Sequence, residues 1–209
     1  MVRTSLIVAA GLLAACSRTP PEPTPAASVT SVPGAPTPVV RKLSPEAAQA
    51  LGQRCITPLA AVAKTVPPPA GKACPADPEP GTKLTKDAVT FPETEKSPRV
   101  DVEIVKSEHD VERGLMYRQT MPEDQGMLFK LSGRRDHTFW MHNTCISLDI
   151  MFIDDDGVIV GIGEAAPTLS DDVVSVGCPS VYVLEVNGGW ARRHGVKPGQ
   201  KITIPQAAR

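Results

Sequence analysis

Proline is the residue that most limits what this chain can fold into. Of its 22 prolines, 17 fall between Ser17 and Pro98, and the last 111 residues hold five. Proline fixes φ and has no amide hydrogen, so a segment this rich in it supports neither a long helix nor a sheet interior. Residues 17–43 are Pro, Ala, Thr, Ser and Val with little charge. They cannot bury a core, and the expectation is a disordered tether over 16–43. Fully extended it would span about 80 Å. A globular fold must therefore come from the second half of the chain.

The tether follows a short apolar stretch. Arg3 gives a positive start, and "LIVAAGLLAA" has the length of a signal-peptide core, too short for a stable membrane-spanning helix. It ends in "LAAC", which resembles a lipoprotein lipobox. Residues 1–15 are then the signal, and Cys16 becomes the lipidated first residue. Ser17 follows in place of Asp, the sorting pattern of the outer membrane. The expected location is the cell envelope, lipid-anchored through Cys16 on the periplasmic face of the outer membrane. A formal charge of −1 lacks the basic excess that phosphate neutralisation demands, so nucleic acid is not an expected partner. A monomer is expected.

Four cysteines remain: Cys55, Cys74, Cys145 and Cys178. An even number in an exported chain favours disulfides. Three pairings are open. Short sequence separation favours Cys55–Cys74 and Cys145–Cys178. There is no Cys-x-x-Cys and no His cluster at ligand spacing, so no metal is expected. Asp154, Asp155 and Asp156 before Gly157 lack the spacing of a calcium loop and read as a turn between strands. No cofactor motif is present.

Residues 44–97 read as a small helical and loop appendage. "LSPEAAQALGQRCITPLAAVAK" has Ser44 as N-cap, Pro45 at the first helical position, and Glu46 near the positive end of the dipole. The main domain is expected over 98–206. "RVDVEIV" alternates and predicts a strand. "SEHDVERGLMYRQ" predicts a helix with Ser107 and Asp110 as a capping pair and Gly114 in its interior. "GMLFKL", "HTFWMH", "CISLDIMFI", "GVIVGIGEA", "VVSVG", "SVYVLEVN" and "QKITIP" predict further strands, and "GWARRHG" a helical turn. The expected class is all-β with minor α: a compact β-sandwich or partly open barrel of seven to eight short strands with two short helices.

"HTFWMHNTCISLDIMFI" carries the densest chemistry. If the chain reverses at Asn143-Thr144, Thr138, Trp140, His142, Ser147 and Asp149 share one face, because opposed residues of an antiparallel pair do so. An indole beside an imidazole, a hydroxyl and a carboxylate suits a polar ligand.

Three segments, "ERGLMYRQTMPEDQGMLF", "FWMHNTCISLDIMFIDDDG" and "YVLEVNGG", together resemble the domain of unknown function 192 family, over about residues 98–206. The resemblance rests on Arg113, Gly114, Leu115, Met116, Gly126, Met127, Phe129, Trp140, Met141, Asn143, Leu148, Asp149, Glu185 and Gly188. His142 and Ser147 stand where the family usually has a basic residue and a proline. The resemblance implies a small β-fold and supplies no activity.

These readings give candidate ligand-binding residues Arg113, Met116, Trp140, His142, Asn143, Ser147, Asp149 and Glu185. The leading expectation is a non-enzymatic lipoprotein whose β-domain binds a small polar ligand such as a saccharide or cell-wall fragment, since sugar faces stack on aromatics. One alternative is a hydrolase-type enzyme using Asp149 and His142 with Arg113 holding an anion. Another is a structural or partner-docking module of the envelope.

Overall fold

The computed structural model describes residues 54–67, 71, 73–80 and 83–209. The signal segment, Cys16, the tether and the Ser44 cap lie outside the described residues. All that follows concerns the unit spanning Glu46–Arg209.

Six strands form one mixed sheet in the order β1-β2-β3-β6-β4-β5. β1 is Thr85–Thr90 and β2 is Arg99–Val105, paired antiparallel with Val89 opposite Val100. β2 buries Val100, Val102 and Ile104 and exposes Arg99 and Asp101, as its alternation predicts. β3, Gln125–Asp136, runs parallel to β2. A parallel pair needs a crossover, and the segment supplying it contains helix α1, Glu108–Arg113. Ser107 caps α1, its hydroxyl accepting from the Asp110 amide at 3.1 Å. The helix is shorter than its apolar stripe suggests. Gly114, expected inside it, ends it at φ +46°, and a side chain there would meet the Phe129 ring at 3.2 Å.

β4 (Leu148–Ile153), β5 (Ile159–Ala166) and β6 (Pro179–Asn187) complete the sheet by antiparallel pairing. β4 is buried along its whole length. Both faces of the central strands are covered, which is why they read as nearly continuous apolar runs. One face packs Leu128, Met151, Leu184 and Val186 against Trp190 of helix α2 (Trp190–Arg193), Ile202 and Ile204. The other packs Met127, Phe129, Ile150, Phe152 and Val183 under Leu115 and Met141, with Phe139 partly buried against them. Phe139 meets Phe129 and Phe152 edge-on at 5.2 and 5.9 Å between ring centres.

The mainly β class with two short helices agrees with expectation, but the strands number six among the described residues. "HTFWMH", "VVSVG" and "QKITIP" form only isolated bridges, Phe139 with Val174 and Val158 with Lys201. These segments cover the sheet faces as loops, so Met141, Ile202 and Ile204 are buried without extended ladders, while Trp140 and Val173 stay exposed. The sheet also starts before residue 98, since β1 contributes Val89 to the core and Phe91 follows directly. Both residues flank Thr90 in alternation, a short signal masked by the prolines on either side.

Residues 54–67 carry no helix, contrary to the helical reading of 43–64. They lie as an extended strap, with the Thr57 amide donating to Val160 O at 2.8 Å and its hydroxyl to Val176 O at 2.5 Å. The disulfides also differ from expectation: Cys55 joins Cys178, and Cys74 joins Cys145. Each bond ties the strap region to the sheet domain, across 123 and 71 residues of sequence. Sequence proximity was a weak guide, because loop-closure entropy grows only with the logarithm of length. Closing the longer loop costs only about 2 kcal/mol more than closing one of about 20 residues.

Candidate functional site

β3 does not run straight. Its pairing with β6 shifts between Lys130 and Arg135, where Gly133 takes φ +74°. The bulge takes Leu131, Ser132, Gly133 and Arg134 out of the ladder, which resumes at Arg135 opposite Ser180. Facing it are α1 and the 137–144 loop, held by Phe139 and Val174 exchanging backbone hydrogen bonds at 2.9 and 2.7 Å. Between them lies a cavity of about 350 Å³, within the range of small-ligand sites.

The cavity has an apolar body of Leu115, Phe129, Leu131 and Phe139. Trp140 lines it and is 43% exposed. Lys106, Glu108, Glu112 and Arg135 contribute charged side chains to the lining. Glu185 also lines it, on the strand face shared with Val183, Phe129 and Ile150. Glu185 is 4% exposed. Among the described residues its carboxyl has no hydrogen-bond or ion-pair partner. Burial alone pushes its pKa up to about 8, so it is mostly protonated at neutral pH and presents a donor.

A second hollow of about 310 Å³ shares Glu112, Arg113, Met116 and Trp140 with the first and adds His142 and Asn143. Its far wall is the segment after Cys74, through Pro78 and Glu79. Arg113 Nη2 donates to both Asp77 carboxylate oxygens at 2.6 Å. That hydrogen bond holds the Asp77 carboxyl below its ordinary range. His142 Nδ1 meets Asp171 Oδ1 at 2.6 Å, and its ring stacks on Trp140 at 4.8 Å. Asn143 sits at φ +52° and donates to the Tyr117 hydroxyl at 3.1 Å.

Six of the eight candidate residues therefore gather around the two hollows: Arg113, Met116, Trp140, His142, Asn143 and Glu185. Ser147 and Asp149 do not. The expected reversal is a tight turn, with Thr144 N donating to Met141 O, and no hairpin ladder follows it. Ser147 donates to Ala166 O at 2.8 Å. Asp149 is fully buried on the opposite face of the sheet from the cavity, where it accepts from the amides of Ala165, Gly189 and Ala191 at 2.8–2.9 Å. Burial raises its pKa, and the three amides partly offset that. It is a fastener for α2, and the acid–base pairing of Asp149 with His142 does not form.

The apolar body of the cavity was not singled out from sequence. Phe129 and Leu131 read as ordinary core there, and only the bulge after Lys130 turns them into a lining. The acidic turn behaves as expected of a turn: Arg134 forks onto Asp154 and Arg54 onto Asp156.

Residues 89–204 match the DUF192 family, described as an uncharacterized ACR. Of the fourteen positions carrying the resemblance, seven line the larger cavity: Arg113, Gly114, Leu115, Met116, Phe129, Trp140 and Glu185. A Sinorhizobium meliloti protein, provisionally named a transcription regulator, is similar in structure. It is 36% identical, covering 59% of this chain and 96% of its own, with TM-score 0.56. A protein of unknown function from Novosphingobium aromaticivorans is 33% identical, covering 64% of this chain and 94% of its own, with TM-score 0.54. No curated protein matches the chain in sequence.

Proposed function

We propose that this chain, which belongs to the DUF192 family, is an envelope lipoprotein whose β-domain binds a small polar ligand of saccharide type in the Trp140 cavity. The observation that carries the reading is Glu185, a buried carboxyl without a partner among the described residues, lining a cavity that also has an exposed indole. A buried polar group left unpaired costs about 1–3 kcal/mol, and a ligand atom that pairs with it recovers part of that cost. Trp140 supplies a flat apolar face and the neighbouring charged residues supply polar contacts. The reading calls for no cofactor. The envelope address rests on the "LAAC" segment, which makes Cys16 the anchor and leaves the tether to hold the domain off the membrane.

Calorimetric titration with a panel of mono- and disaccharides tests the site. Trp140→Ala is expected to weaken binding at least tenfold with the fold intact; unchanged binding would overturn the assignment. Cys16→Ser tests the anchor, since it should release the protein from washed membranes.

A further inference from the structure

The chemistry of the cavity narrows the ligand further, and this step rests on the binding reading above. We infer that the ligand is an uncharged, N-acetylated sugar whose acetamido carbonyl accepts a hydrogen bond from the Glu185 carboxylic acid, with its methyl group in the apolar body of the cavity.

Three observations lead there. Glu185 has no partner among the described residues and opens onto the cavity, so its hydrogen bond is available to what enters. Its immediate surroundings on the sheet are apolar, with Phe129 and Val183 on the same face and Ile150 opposite it in the ladder. In that setting a carboxyl keeps its proton and acts as a donor, and an uncharged acceptor is the matching group. A bare hydroxyl would fit the donor and waste the apolar wall, whereas a carbonyl bearing a methyl group uses both. At about 350 Å³ the cavity has room for one such ring.

The charged and titratable groups that share the cavity come from three elements: Glu108, Glu112 and Arg113 from α1 and its approach, Lys130 and Arg135 from β3, and His137 from the covering loop, with Lys106 ahead of α1. Arg113 is held by Asp77, and His137 Nε2 lies 3.1 Å from Gly133 O. None of them contributes to the upward shift of Glu185, which comes from burial.

The sign of the pH dependence is the test. The probe is N-acetylglucosamine, titrated calorimetrically into the full β-domain chain at pH 7 and pH 9, with glucose and glucosamine in parallel. Because the donor is lost as Glu185 ionises near pH 8, affinity for N-acetylglucosamine should fall about tenfold between the two. Glu185→Gln keeps an N–H donor and cannot titrate, so its binding should persist and become flat across that range. Glu185→Leu should lose binding at both pH values while its unfolding transition stays cooperative.

Affinity that rises with pH, or stronger binding of glucosamine, would mean a cationic ligand and overturn the inference. Equal, pH-independent binding of glucose and N-acetylglucosamine that still depends on Trp140 would overturn the acetamido assignment and leave the saccharide site standing. No binding by any of the three sugars, or by the wider panel, would remove the site itself.

Discussion

Asp149 and Glu185 are buried carboxyls on neighbouring, paired strands, and they point to opposite sides of the sheet. Ile150 pairs with Glu185 and Asp149 with Val186, so the one-residue offset sends each side chain to its own face. Asp149 is surrounded by backbone donors and organises α2. Glu185 has none and faces the cavity. The same chemical group is thus a structural fastener on one side and a cavity-lining acid on the other.

Asp149→Ala should be strongly destabilising. It leaves three amides, two of them buried, without an acceptor and frees the start of α2, whose Trp190 packs on Phe91 at 5.1 Å. A loss of about 3–5 kcal/mol is expected. Urea unfolding measures it, and a loss under 1 kcal/mol would contradict the fastening role.

Glu185 makes stability depend on pH with a definite sign. Its folded pKa of about 8 lies above the ordinary 4.5, so the folded state keeps a proton that the unfolded state releases. The contribution is fully present below about pH 4.5 and is lost as pH rises through about 8, at up to roughly 1.4 kcal/mol per unit. Comparing wild type with Glu185→Gln at each pH isolates the effect. The glutamine variant should gain on wild type steadily from pH 5 to pH 8.

Removing the second disulfide by Cys74→Ser with Cys145→Ser should cost about 4 kcal/mol by the chain-entropy account for a loop of this size. The same change should make the segment around Asp77 accessible to protease. Mass spectrometry of unreduced peptides checks the connectivity directly. A Cys55–Cys74 peptide would refute the pairing.

Gly126→Ala should disrupt the β3–β6 ladder. An added methyl would lie 2.5 Å from Glu185 O and 3.1 Å from the Val100 side chain, and the first of these is backbone that cannot swing aside. Strain of about 1–3 kcal/mol or more is expected, read as a lowered unfolding midpoint.

Local signals proved legible. The alternation of β2, the Ser107 cap and the turn at Gly157 were all visible in the sequence, because each depends on residues a few positions apart. Long-range pairing was not. The alternating apolar residues of 137–153 suggest two strands facing each other, yet Phe139 bridges Val174 and Asp149 stands opposite Val186. Alternation fixes which residues share a face of one strand and says nothing of which strand lies alongside. Asp149 misled for a related reason, since a buried carboxylate serving backbone amides looks in sequence like one serving a ligand. Glu185 entered the candidate set only through the family resemblance, since nothing local to the strand says which face an acid takes or what covers it.

The Cys55–Cys178 bond also decides how the domain bears load. A pull on the chain from its N-terminal side meets the Arg54–Asp156 ion pair and then its first covalent tie at Cys55, where it crosses the sulfur bridge to Cys178, one residue ahead of β6. β6 is clamped between β3 and β4 at the middle of the sheet. Tension therefore enters at the most heavily bonded strand and bypasses β1 and β2, which stay slack. A domain towed by its leading end would feel the load first at β6, the strand that carries Glu185 into the cavity, while the edge strand β1 stays mechanically quiet.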